Sequence, residues 1–121
     1  MSLLPVLDNR RFHEIRELMG DQLAPTIESY AADSKRLVSD IMQAFESTNA
    51  KDMVLPAHTL KSSSGQFGAL RLAETARSIE QGAKMARSPA EIIALSLYIS
   101  KLESQLQETL KMLEYASKQS S

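Results

Sequence analysis

Two histidines, His13 and His58, are the first candidates for reaction chemistry in this chain. They lie far apart, and neither sits in a His-Glu-x-x-His stretch or beside clustered carboxylates, so no metal site is expected. Cysteine is absent, which excludes a thiol nucleophile, a cysteine metal site and a disulfide framework. No base, nucleophile and orienting group are spaced for hydrolysis. His13 follows Phe12 and reads as a surface side chain. His58 has a more specific neighbourhood, Ala57-His58-Thr59-Leu60-Lys61-Ser62-Ser63-Ser64-Gly65-Gln66-Phe67-Gly68-Ala69. On a helix, Ala57 and Leu60 point to one side. His58, Lys61 and Ser62 fall together on an adjoining exposed face, because they are three and four residues apart. A neutral imidazole is a nucleophile near neutral pH. Once phosphorylated, it carries anionic oxygens that an ammonium three residues on can balance. The small Ser62 keeps the helix surface low enough for a partner's active site to approach. The same spacing also suits a surface histidine beside a solubilising lysine, and on the residues alone both readings stand.

These side chains must be positioned by helices. Val and Ile are few, whereas Leu, Ala, Met, Glu, Gln and Lys are many, a composition that favours helix over strand. A short first helix is expected over 8–19, capped by Asp8 and stopped by Gly20, with Phe12, Ile15 and Met19 on one face. A second is expected over 23–45, with Pro25 in its first turn and a stripe of Leu23, Ile27, Tyr30, Ser34, Leu37, Ile41 and Phe45. The third starts near Asn49, where Asp52 follows in a capping arrangement, and ends between Gly65 and Gly68. Pro56 either kinks it or marks where regular helix begins. Its buried line is Ala57, Leu60, Ser64 and Phe67. The fourth covers 69–85, with Leu72 or Ala73, then Ala76, Ile79 and Ala83 facing inward. The fifth opens on Ser88-Pro89-Ala90-Glu91, a capping box with Pro at the first helical position. It carries a near-heptad seam of Ile92, Leu95, Ile99, Leu102, Leu106, Leu110 and Leu113. The methionines read as core filler, and the polar end over 118–121 is expected to fray. One short helix and four long ones, joined by brief connections, predict an all-α, antiparallel up-down four-helix bundle over about 21–117 with a short additional N-terminal helix. A coiled-coil dimer through the last seam is the structural competitor.

Length and charge bound the function. The chain has 121 residues, of which 43% are hydrophobic and 24% charged, enough for a single domain over 1–121 with one sizeable core. Fourteen Lys and Arg against fifteen Asp and Glu give a net charge of −1, which argues against nucleic acid and against a polybasic membrane anchor. No apolar run approaches the ~20 residues that span a bilayer, and no leader pattern opens the sequence. A cytoplasmic location and a monomer are expected. No Gly-rich phosphate loop or kinase motif is present, so autophosphorylation from ATP is not expected.

The stretch around His58 closely resembles the histidine phosphotransfer domains of multistep two-component phosphorelays. Their signature is a His, a variable residue, an apolar residue, Lys and a small residue, followed by small residues and Gly-Ala or Gly-Leu. Here it reads His58-Thr59-Leu60-Lys61-Ser62-Ser63-Ser64, then Gly68-Ala69. Ile79-Glu80 fits the apolar residue and Glu or Gln of the next helix, and Leu7-Asp8 fits the opening. The likeness covers most of the chain. It implies that His58 accepts a phosphoryl group from a phospho-aspartate of a receiver domain and passes it to an aspartate of another. The donors and acceptors would be the receiver domains of a hybrid sensor kinase and of response regulators. Lys61 would balance phosphoryl charge, Glu80 would hydrogen-bond the other ring nitrogen, and Gly68 would allow the turn between the central helices. Lys84, one turn past Glu80, is placed to contact phosphate or simply to pair with Glu80. The chain would need no cofactor of its own, since the receiver brings Mg²⁺. It would be a phosphocarrier without kinase activity rather than an independent enzyme. The docking face expected from helical spacing is Leu55, Thr59, Lys61, Ser62 and Gln66, with Phe12 of the first helix. Two departures stand out: Ser62 where Gly is commoner, and Pro56 two residues before His58. The alternative function is a helical docking module that binds receivers or other signalling domains without phosphotransfer.

Overall fold

The computed structural model describes residues 4–118; of the end expected to fray over 118–121, Lys118 is helical and the rest lies outside the described residues. Helices α1 (Asn9–Met19), α2 (Leu23–Glu46), α3 (Ala50–Gln66), α4 (Leu70–Met85), α5 (Pro89–Ile93) and α6 (Ser96–Lys118) follow in order, with a 3₁₀ turn at Gly20–Gln22. Helices α2, α3, α4 and α6 form the antiparallel bundle. α3 packs between α2 and α4, and α6 closes the ring against both α4 and α2.

Local chemistry sets the helix ends. The Asp8 carboxylate accepts from the N–H groups of Arg10 and Arg11, satisfying donors that the first turn of α1 leaves open. Asn49 caps α3 by accepting from Asp52 N–H at 3.1 Å. The connection over 67–69 turns at Gly68, whose φ of +80° suits a residue without a Cβ. A Cβ there would lie 3.0 Å from both the Asp8 carbonyl oxygen and Arg11 Cβ. The Asp8 N–H donates to the Gly68 carbonyl at 2.7 Å, so this turn also seats the start of α1.

α3 is continuous through Pro56. The donor that Pro56 lacks would have bonded the carbonyl of Asp52, an exposed residue that water can reach. The larger departure is at the last helix. The seam suggests one helix over 88–113, but the chain makes α5 and α6 with a tight turn between them. Leu95 N–H bonds the Ile92 carbonyl and Tyr98 N–H bonds the Leu95 carbonyl, both three residues back. Leu95 is pressed against Gly82 of α4, where a Cβ would have no room. The bend brings Ile92 and Leu95 into the core that Ile99, Leu102 and Leu106 continue.

The main core joins Ile41 of α2, Met53, Ala57 and Leu60 of α3, Leu72, Ala76 and Ile79 of α4 and Leu102 of α6, each at 0% exposure. Burying a leucine of this kind stabilises the fold by about 1.5–3 kcal/mol. A second cluster closes the end nearest α1, with Leu7, Phe12, Leu23, Tyr30, Phe67 and Leu113. There the Tyr30 hydroxyl pairs with Ser64 Oγ at 2.7 Å, and burial pushes the phenol's pKa up to about 12. The seam of α6 is consumed inside this bundle, which removes the pattern argument for a coiled-coil dimer. The methionines divide: Met53 is core, whereas Met85 is exposed, contrary to a uniform filler role.

Candidate functional site

His58 sits midway along α3, held by the inward residues on either side of it. Ala57 and Leu60 are fully buried, and their burial rotates the imidazole outward, leaving its side chain 52% exposed. Across the α3–α4 interface, Ile79 is fully buried and fixes the rotation of α4, which places Glu80 under the imidazole. His58 Nδ1 lies 2.9 Å from Glu80 Oε2.

Two lysines share the same carboxylate. Lys61 Nζ is 2.8 Å from Oε1, and Lys84 Nζ is 3.1 Å from Oε2. Lys61 is the chief cause that holds the Glu80 carboxyl down at about 2, with Lys84 and His58 adding to it against the cost of burial. An ionised carboxylate can only accept, so Nδ1 donates and the ring carries its proton there. In the neutral ring the lone pair is then on Nε2, which has no partner among the described residues. The arrangement leaves the half-exposed imidazole oriented from beneath by a carboxylate that also holds two lysines.

The three serines separate by helical position. Ser62 is exposed beside His58. The Ser63 hydroxyl donates to the Thr59 carbonyl at 3.0 Å, and Ser64 is fully buried against Tyr30. Leu55, at 71% exposure, together with Thr59 and Gln66, extends the exposed face along α3. Phe12 does not join it. Its ring is 2% exposed, packed in the end cluster with the Arg16 guanidinium 5.6 Å from its centroid. The apolar stripe of α1 is spent on seating that helix, so Phe12 supports the bundle from within. His13 is exposed on α1, beside Arg16 and Glu17. Among the described residues, no group of three metal-ligating side chains is close enough to hold an ion, and no helix is long and apolar enough to cross a membrane.

Sequence reasoning weighed Glu80 either against the imidazole or in an i,i+4 pair with Lys84, and both contacts occur. It missed that Lys61 reaches Glu80 as well. These two residues belong to different helices, and no local spacing reports a contact between them.

A four-helix bundle that displays a carboxylate-bound imidazole beside a lysine defines a class, the helical phosphotransfer domains of phosphorelays. The family model of the Hpt domain matches residues 26–115. The chain belongs to the Hpt domain family and is a histidine phosphotransfer intermediate. Among solved structures, the crystal structure of histidine-containing phosphotransfer protein B (HptB) from Pseudomonas aeruginosa is similar in fold. The TM-score is 0.64 at 23% identity, over 92% of this chain and 98% of that one. No curated protein sequence matches significantly.

Proposed function

We propose that His58 is the phospho-acceptor, through Nε2, and that the chain works as a single monomeric carrier between receiver domains in the cytoplasm. The observation that carries this reading is the His58 Nδ1–Glu80 hydrogen bond of 2.9 Å. It orients the ring by one nitrogen and so supports a role for the other in accepting the phosphoryl group. The receivers of a hybrid sensor kinase and of a response regulator would supply the aspartates and their Mg²⁺. Lys61 balances phosphoryl charge and Glu80 orients the imidazole. Leu55, Thr59, Ser62 and Gln66 form the face on which a receiver docks, with Lys84 at its edge. The chain lacks a phosphate-binding loop and takes its phosphoryl group from a partner rather than from ATP.

The test is phosphoryl transfer from a panel of labelled phospho-receivers, with His58→Gln in parallel. Acid-labile label on the wild type but not on the variant is expected. Label on neither, from receivers shown to bind, would replace this reading with a docking module. Label on both would move the acceptor elsewhere, with His13 tested next. Ser62→Trp is expected to fold and yet fail to accept label, because a bulky side chain beside His58 blocks docking.

A further inference from the structure

The four side chains at the site carry an unbalanced charge. With the imidazole neutral, Glu80 contributes one negative charge and Lys61 and Lys84 one positive charge each, leaving one ammonium in excess. Arg77, one turn before Glu80, is engaged by Glu74 and is not part of this balance. The two lysines hold different oxygens. Lys61 faces Oε1, whereas Lys84 faces Oε2, the oxygen that also accepts from His58 Nδ1.

Phosphorylation changes this balance by a defined amount, on the reading of His58 as carrier, on which this inference rests. The Nε2 lone pair forms the N–P bond. The O–P bond of the receiver's phospho-aspartate breaks, and its electron pair leaves with the carboxylate. The Nδ1 proton stays on the ring. The phosphoryl group brings two negative charges and the ring becomes cationic, so the site gains one net negative charge. That gain matches the surplus ammonium.

We propose that Lys61 leaves Glu80 Oε1 for the phosphoryl oxygens when His58 is charged, and that Lys84 is the positioning residue that keeps Glu80 ionised and seated against Nδ1 during the exchange. Lys61 is the mobile partner because its departure leaves the Oε2–Nδ1 contact untouched. It also shares α3 with His58, three residues on. Lys84 is needed because Glu80 is 3% exposed, and without Lys84 the departure of Lys61 would leave this buried carboxylate with the imidazole ring alone, which would hold Lys61 back.

The experiment charges His58 directly with phosphoramidate, without a receiver, and follows the intact protein by ³¹P and ¹⁵N NMR. In the wild type, the Lys61 Nζ resonance should move on phosphorylation while that of Lys84 stays. In Lys84→Met, the equilibrium constant for phosphorylation should fall about fivefold, the worth of one partly exposed charge pair, and the Lys61 response should shrink. The phosphoryl pKa should rise, because its cation is withheld. Lys84→Arg should restore all three. A Lys61 resonance in the wild type that ignores phosphorylation, or a Lys84→Met protein that behaves as wild type with His58 labelled, would overturn the exchange and leave the carrier reading standing. Absence of label on wild-type His58 would overturn both.

Discussion

Glu80 accepts from His58 Nδ1 at 2.9 Å and faces Lys61 and Lys84 with its two oxygens, so neutralising it changes three neighbours at once. In Glu80→Gln the ring loses the charge that favours an Nδ1 proton and a free Nε2. Phosphoryl acceptance is expected to slow by about tenfold or more, as when an orienting partner is lost elsewhere, while circular dichroism stays at the wild-type value. Transfer rates from a single phospho-receiver check this. The same carboxylate couples stability to pH. Its folded-state pKa is lowered from the ordinary 4.5 to about 2. The ionised form therefore contributes stability that is complete above about pH 4.5 and is lost as pH falls towards 2. Lys84 is 58% exposed and Lys61 32%, so solvent screens these pairs and the contribution is about 1 kcal/mol. Urea unfolding between pH 2 and 5 should show a steeper loss in the wild type than in Glu80→Gln.

At the scale of elements, the turn over 67–69 joins the helix that bears His58 to the helix that bears Glu80. Gly68→Ala places a Cβ 3.0 Å from the Asp8 carbonyl oxygen at a φ of +80°. It should cost about 1–2 kcal/mol, read as a lower urea midpoint. Loosening of α1 should accompany it, because Asp8 N–H bonds the Gly68 carbonyl. The Asn49 cap is a separate contribution at the other end of α3. Asn49→Ala removes the acceptor for Asp52 N–H and should lower stability by about 1 kcal/mol. It lies more than two helical turns before His58, so phosphoryl acceptance at a temperature where the variant is folded should be unchanged.

For the whole molecule, the seam of α6 is the test of the architecture. Leu102 is fully exposed to the core and not to solvent, with 0% accessible surface, and Leu102→Ala should destabilise the bundle by about 2–5 kcal/mol through the cavity it leaves. Because the seam is spent internally, sedimentation should give a 13.4 kDa species whose mass is independent of concentration. A dimer that dissociates in Leu102→Ala would mean that the seam serves an interface instead.

The sequence alone determined the helices, their inward faces and the display of His58 with Lys61 and Ser62. These properties follow from periodicity, caps and turn residues within a few positions of one another. Asp8, Asn49 and Ser88 act where their local chemistry predicts, and Gly68 turns the chain where the family resemblance implies. Tertiary packing decided what lies beyond that range. It buried Phe12, which spacing placed on the docking face, because the apolar stripe of α1 has an end cluster to cover. It broke the final helix at Leu95, because that side chain must fit over Gly82. It also brought Lys61 to Glu80, since the contact depends on how the buried faces of α3 and α4 set their mutual rotation. Residues on separate helices meet through that rotation, and no spacing along the chain encodes it directly.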